Sequence, residues 1–293
     1  GLRCSETREA QARLAKEYGV EGFCYWHYWF GNGKRLLNRP FDEVLESGKP
    51  DYPFCLAWAN ESWRGFHHGI KTKETLIDQI YPGLDDIIEH FNAVLPAFKD
   101  HRYIRVDDKP LFMIYQPHLV PDLELFINTW NSLAIESGLK GVHFVGECYS
   151  LSDKEELFNK GLDSLNVVRL FEPLSKRSRF SKIVGAIERK IFHFPRVVSY
   201  KKAIKTFVGH EEKDEKIYPT IIPNWDHSPR TGRKGYVLNN STPELFEQHL
   251  LDIRRILDGK HNKICFLKSW NEWAEGNYLE PDLKYGTQYL EVL

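Results

Sequence analysis

Along almost the whole chain, short apolar runs alternate with stretches in which apolar residues recur at helical spacing. The runs occupy residues 22–29, 54–58, 111–115, 142–146, 165–170, 218–223 and 264–270. They are short and apolar, and the first is bounded by glycines, the form taken by a parallel strand buried on both faces. Between them, Ala10, Leu14 and Ala15 mark a helix over residues 6–18 that Gly19 stops, and similar patterns cover residues 85–98, 123–137 and 243–257. The last starts behind Ser241-Thr242, side chains suited to cap it. Strand and helix in alternation imply a parallel sheet with right-handed crossovers, and their spacing favours a closed (β/α)8 TIM-type barrel over an open sheet. Seven strands are counted where a barrel has eight, and the chain opens on a helix, so the expectation is a barrel lacking its first N-terminal strand. No G-x-G-x-x-G follows any strand, and Gly31-Asn32-Gly33-Lys34 has neither the spacing nor the hydroxyl of a phosphate loop.

Composition narrows the partners. A chain of 293 residues that is 42% hydrophobic can bury one large core, so a single domain over residues 1–293 is expected. Its 40 basic and 41 acidic side chains leave a formal charge of -1, which gives no field to draw in nucleic acid. Aromatic residues make up 14%, more than a core alone needs and suited to stacking on sugar rings. Cys24, Cys55, Cys148 and Cys265 lie in apolar runs and read as reduced core residues. With no run of membrane-span length and no signal-peptide pattern, the expected location is cytoplasmic. One segment qualifies this: between Ser175 and Lys205 ten Lys and Arg residues face the single acid Glu188, and Phe180, Ile183, Val184, Ile187, Ile191 and Phe194 recur at helical spacing. Such a basic amphipathic helix either packs on the barrel, the favoured reading, or makes weak contact with the inner membrane surface. The charged run at residues 211–216 reads as a solvated loop before a strand.

The chemistry concentrates where runs end. Trp270-Asn271-Glu272-Trp273-Ala274-Glu275-Gly276 follows the last run, at the strand end where barrels carry their active sites. Along a continuing strand Glu272 and Glu275 would point to opposite faces, so a turn after Glu272 is required if they are to act together. Two carboxylates in one pocket can divide acid and base labour, and Trp270 and Trp273 would provide an apolar wall. Against this stands a bland role as a helix cap or a partner for Lys268. Trp58-Ala59-Asn60-Glu61-Ser62-Trp63 repeats the Asn-Glu-x-Trp theme at a second strand end. His27-Tyr28-Trp29, Tyr115 with Gln116, Glu147, and Asn224-Trp225-Asp226 complete a ring of polar and aromatic candidates for sugar binding. No metal or cofactor is expected, because His67-His68 are adjacent and point apart, neither H-E-x-x-H nor paired C-x-x-C occurs, and Asp107-Asp108 lacks D-x-D spacing, with Lys109-Pro110 after it reading as a turn into a strand.

Four segments carry a family resemblance: residues 22–30, 53–61, Lys109-Pro110-Leu111-Phe112, and residues 270–281. Together they resemble the WbsX-type family of glycosyltransferases, which have a glycoside hydrolase family 99-like barrel, and the match runs in order from about Glu9 onward. The resemblance implies a (β/α)8 barrel, a link to bacterial surface polysaccharide, chiefly O-antigen, and the absence here of the family's first strand with its Tyr-Leu-Pro-Gln-Phe-His-like signature. Related hydrolases act endo on α-mannosides and carry Asn-Glu-Trp-x-Glu-Gly, whose acids fall on Glu272 and Glu275. By that analogy Glu275 is the general acid/base, and Glu272 deprotonates the sugar 2-hydroxyl to give an anhydro-sugar. The expected function is therefore a retaining glycosidase or transglycosylase. The alternatives are a nucleotide-sugar-dependent glycosyltransferase of O-antigen synthesis and a non-catalytic glycan-binding barrel.

Overall fold

The structure is a computed structural model that describes residues 1–65, 74–176, 185, 191 and 194–293. Seven parallel-type strands stand where the apolar runs place them: β1 Phe23–Trp29, β2 Phe54–Trp58, β3 Lys109–Ile114, β4 His143–Cys148, β5 Ser164–Val167, β6 Ile217–Ile221 and β7 Phe266–Leu267. The principal helices are α1 Ser5–Glu17, α2 Arg39–Ser47, α3 Leu84–Phe98, α4 Leu123–Glu136, α5 Lys154–Asn159 and α6 Pro243–Leu257. Thr242 caps α6 as the sequence signals, and at the start of α4 the Asp122 carboxylate accepts the Leu125 N–H at 2.9 Å. The chain falls into two compact units, residues 1–63, 75–148 and 152–165, and residues 64–74, 149–151 and 166–293.

In the first unit β1, β2, β3 and β4 lie side by side in parallel, with Cys24 opposite Cys55, Leu56 opposite Phe112, and Phe112 opposite Phe144. Helices α3 and α4 cover one face through an aromatic core in which Phe91, Phe98, Phe112, Phe126, Trp130 and Phe144 are each buried. Asp107 and Asp108, both at positive φ, make the tight turn from Arg105–Val106 into β3, and Lys109-Pro110, read as the turn, already belong to the strand. The first strand is not buried on both faces as expected. Tyr25, His27 and Trp29 pack toward the helices, whereas Cys24 and Trp26, on the alternate face, are exposed.

In the second unit β6 and β7 pair in parallel, Thr220 opposite Phe266 and Ile221 opposite Leu267, and α6 buries Phe246, His249 and Ile253. A separate core of Val168, Leu170, Tyr200, Phe207, Ile222, Trp225, Tyr236 and Leu238 lies under a small sheet. In that sheet Arg196–Ser199 runs parallel to Tyr236–Asn239, which pairs antiparallel with Trp225–Asp226. The charged run at residues 211–216 is only partly solvated. Glu212 is fully buried because Arg169 reaches it with two nitrogens, Nη2 at 3.0 Å and Nε closer still, while the buried Lys260 Nζ donates to the Ile217 carbonyl at 2.6 Å. Most of the basic amphipathic segment lies outside the described residues. Of its apolar positions, Ile191 and Phe194 are exposed. Among the described residues no helix is long and apolar enough to cross a membrane.

Candidate active site

The loops after β6 and β7 converge at the carboxyl ends of two neighbouring parallel strands, the position where barrels assemble their chemistry. After β7 the chain passes the buried Trp270 and enters a short hairpin: Asn271–Glu272 pairs antiparallel with Asn277–Tyr278, joined by the helical turn Trp273–Glu275 and by Gly276. This is the turn that paired action requires. Gly276 sits at φ +52°, and a Cβ there would meet Asp226 Cβ at 2.8 Å and its backbone nitrogen at 2.9 Å. Only glycine therefore lets the hairpin close against the strand after β6.

Three side chains fix the hairpin in place. The buried Asn277 donates from Nδ2 to the carbonyls of Asn224, at 2.8 Å, and Lys268, at 2.7 Å. Asn224 Oδ1 accepts the Tyr278 N–H at 3.0 Å, and Ser269 Oγ donates to the Asn277 carbonyl at 2.9 Å. Every bond links the end of one strand to the loop of its neighbour or of itself, so the position of the two acids is set by satisfied polar groups around the buried Asn277.

Arg230, from the loop after β6, joins the pair. Its Nη1 donates to Glu275 Oε1 at 2.8 Å and its Nη2 to Glu272 Oε1 at 3.0 Å, while His227 Nε2 lies 3.6 Å from Glu275 Oε1. Oxygens on the two terminal nitrogens of one planar guanidinium lie at most about 8 Å apart, inside the roughly 10 Å limit for paired carboxyls in glycoside chemistry. Burial pushes the Glu272 carboxyl above the ordinary carboxylate value, Arg230 opposes that rise, and the charge of Glu275 adds to it. The two acids thus share a site without sharing an environment.

Aromatic rings line the same loops. Trp225 stacks on His227 at 5.7 Å, Phe171 meets Trp225 edge-on at 6.5 Å and Tyr149 at 5.5 Å, and Lys268 Nζ lies 5.9 Å over the Tyr149 ring. Tyr149 and Phe171 are exposed. Trp273 is also exposed, but it stacks on Tyr278 at 3.8 Å and donates its indole N–H to Glu280 at 2.6 Å, and Asn271 beside it faces solvent. Trp225 is buried, with its indole N–H unpartnered among the described residues.

The candidates of the first unit have a different character. His27 and His90 are buried with their Nε2 atoms 2.9 Å apart, and Trp29 stacks on His90 at 4.7 Å. Trp58 donates to the Trp29 carbonyl at 2.9 Å and stacks on Phe126. Packing alone accounts for these three. Asn60 is fully buried and fully used: it donates to the Gln116 carbonyl at 2.8 Å and to Tyr81 at 3.1 Å, and accepts the Gln116 N–H at 2.8 Å, pinning the end of β2 to that of β3. Glu147 is buried, Glu61 is half-buried, and Trp63 meets Tyr28 edge-on at 5.3 Å. Tyr115 meets the exposed Trp26 edge-on at 5.4 Å. Among the described residues no three His, Cys, Asp or Glu side chains gather as a metal site.

Sequence reasoning passed over Arg230, His227 and Trp26. For Arg230 a signal existed, since His227-Ser228-Pro229-Arg230 follows an apolar run at a strand end as Asn224-Trp225-Asp226 does. For Trp26 the period-two alternation within β1 placed it opposite His27.

Comparison with solved structures gives the class. A glycoside hydrolase-like protein superimposes with a TM-score of 0.63 at 16% identity, over 99% of this chain and 84% of the other. The GH99 endo-alpha-mannosidase of Bacteroides thetaiotaomicron in complex with Bis-Tris-propane does so at 0.61 and 15%, over 99% and 83%. The fold is thus that of the (β/α)8-barrel glycoside hydrolases. The profile of the family described as Glycosyltransferase WbsX matches residues 1–293, and the chain belongs to that family. It is also 29% identical over 299 residues to the uncharacterised protein WxcX of Xanthomonas campestris pv. campestris strain B100, and equally so to WxcX of strain ATCC 33913 over 298. Each match covers 99% of this chain and 41% of the length of WxcX.

Proposed function

We propose that the chain is a retaining glycosidase or transglycosylase that acts on glycosidic bonds of bacterial surface polysaccharide, O-antigen or a related polymer, through Glu272 and Glu275. The observation that carries the reading is the convergence of both carboxyls on one guanidinium at a strand end. In the proposed cycle Glu272 takes the proton of the sugar 2-hydroxyl as its oxygen attacks C1. The departing glycosidic oxygen receives the proton of Glu275, which leaves a 1,2-anhydro-sugar. Glu275 then deprotonates water or an acceptor hydroxyl, which opens that ring at C1, and Glu272 returns its proton to the 2-oxygen. Two inversions give net retention. The raised proton affinity of Glu272 supports its role as base, because a base works best with a pKa nearer the working pH. The exposed rings of Tyr149, Phe171 and Trp273 offer sugar-stacking faces.

The structural relationship to an endo-alpha-mannosidase makes mannose-containing oligosaccharides the first substrates to screen, alongside O-antigen fragments. On a confirmed substrate Glu275→Gln is expected to cripple poor leaving groups and spare activated aryl glycosides, whereas Glu272→Gln slows both by roughly 10²- to 10⁴-fold. Near-wild-type turnover after Glu272→Gln, with folding verified, would refute the assignment. A second reading, transfer from a nucleotide-sugar, draws support from the family's description and from the loop at residues 227–235, which carries Arg230, Arg233 and Lys234 and no acid. Thermal stabilisation by a nucleoside diphosphate, with and without divalent metal, distinguishes the two.

A further inference from the structure

Arg230 is not explained by glycosidic chemistry alone. One guanidinium holds both carboxyls at once, with Nη1 on Glu275 Oε1 at 2.8 Å and Nη2 on Glu272 Oε1 at 3.0 Å. The same cation opposes the rise that burial gives Glu272. A neutral sugar entering this site has no group that competes with two carboxylates for an arginine, so it would leave both acids clamped. An anion on the substrate does have such a group, and in taking the guanidinium it would release both carboxyls together.

The surroundings of Arg230 suit an anion. It stands on the tip of the hairpin formed by Trp225–Asp226 and Tyr236–Asn239, with Arg233 and Lys234 exposed beside it and His227 on the same turn. The turn is locally braced: Asp226 Oδ1 accepts the Ser228 N–H at 2.8 Å, and Thr231 Oγ1 donates to the His227 carbonyl at 3.0 Å. The Arg230 side chain is half-buried at 29% exposure, and its fork is oriented by the two carboxyls. A planar fork with two parallel donors matches a carboxylate or a phosphate, and a lysine would not reproduce it.

We propose that Arg230 is the anion receptor of this site, and that the saccharide it accepts carries a negative group, a uronate-type carboxylate or a phosphate, next to the bond acted on. The proposal rests on the reading of Glu272 and Glu275 as the substrate-engaging pair. In the resting site the two carboxylates occupy the receptor, and the substrate's anion exchanges with them.

The test measures binding on the whole chain, by calorimetry, with glucuronate and inorganic pyrophosphate as the two anionic probes and glucose as the neutral control. In Glu272→Gln/Glu275→Gln the competing charges are gone, so at least one anion should bind about tenfold tighter than to wild type. Adding Arg230→Gln to that variant should remove the gain, and Arg230→Lys should restore only part of it, since charge returns without the fork. Preference for glucuronate assigns a sugar carboxylate, and preference for pyrophosphate a phosphate. Melting curves on each variant confirm folding. Anion binding that persists with Arg230→Gln, absence of binding by the double variant, or equal binding of glucose overturns the proposal. Turnover that survives Glu272→Gln and Glu275→Gln would remove the pair from catalysis without touching the Arg230 result, so the two failures are separable.

Discussion

Gly276→Ala is the sharpest probe of how the acid pair is built. The substituted Cβ would stand 2.8 Å from Asp226 Cβ, 2.9 Å from the Asp226 backbone nitrogen and 3.2 Å from its Cα. Two of those neighbours are main chain, and Asp226 is held by pairing with Val237, so relief must come from the hairpin moving away. Overpacking of this kind costs roughly 1–3 kcal/mol. The backbone at φ +52° adds about 1 kcal/mol for a residue with a Cβ, near the low end of the left-handed penalty. The total is about 2–4 kcal/mol, shared between lost stability and displacement of Glu275 and Glu272 from Arg230. Gly259→Ala is the matched control, since a Cβ there meets only the Ile256 carbonyl at 3.6 Å and no positive φ is involved. Chemical denaturation followed by circular dichroism, together with turnover of a confirmed oligosaccharide, measures both shares. If Gly276→Ala matches Gly259→Ala in midpoint and in turnover, the close approach does not hold the site and the reasoning fails.

Two further predictions concern stability. Arg169→Met should lose roughly 3–5 kcal/mol, because it strands the fully buried Glu212 carboxylate, and Arg169→Met/Glu212→Leu should recover much of that in a double-mutant denaturation cycle. Burial pushes His27 down to about 3, His249 to about 4, and His90 well below the ordinary histidine value. Each is neutral when folded and takes a proton when unfolded, so stability is intact above about pH 6.5 and falls with pH by about 1.4 kcal/mol per unit per histidine. Denaturation midpoints between pH 7 and 5 check this, and a flat profile would contradict it.

The strands, the main helices and the location of the acids were legible because each is written in local pattern. Apolar runs mark β1 to β7, and the capping residue Thr242 marks where α6 begins. What was not legible depends on partners distant in sequence. Glu212 reads as one charge in a solvated run until Arg169, 43 residues away, is seen to cover it. His27 and Trp29 look like binding residues because their types suit sugars, but period-two alternation and the position of His90 on α3 send them into the helical layer and leave Trp26 on the open face. The small sheet of Arg196–Ser199, Tyr236–Asn239 and Trp225–Asp226 has strands of two to four residues, below the length at which periodicity speaks. Arg230 follows an apolar run in the sequence, but its place beside the two acids depends on that sheet.

The geometry of the pair also limits how the site can work. A single strand cannot present residues three apart on one face, so the chain doubles back at Gly276, and Asn277 and Asn224 tie the returning strand to the loop after β6. That same loop supplies Arg230, so the element that gathers the two acids is also the one that neutralises them. A site assembled in this way holds both acids on one guanidinium. If the pair exchanges protons with a substrate as proposed, the guanidinium's hydrogen bonds must pass from the carboxyls to a bound group. On that proposal, the residue that links occupancy of the site to release of the acids lies on the β6 loop and not on the hairpin that carries them.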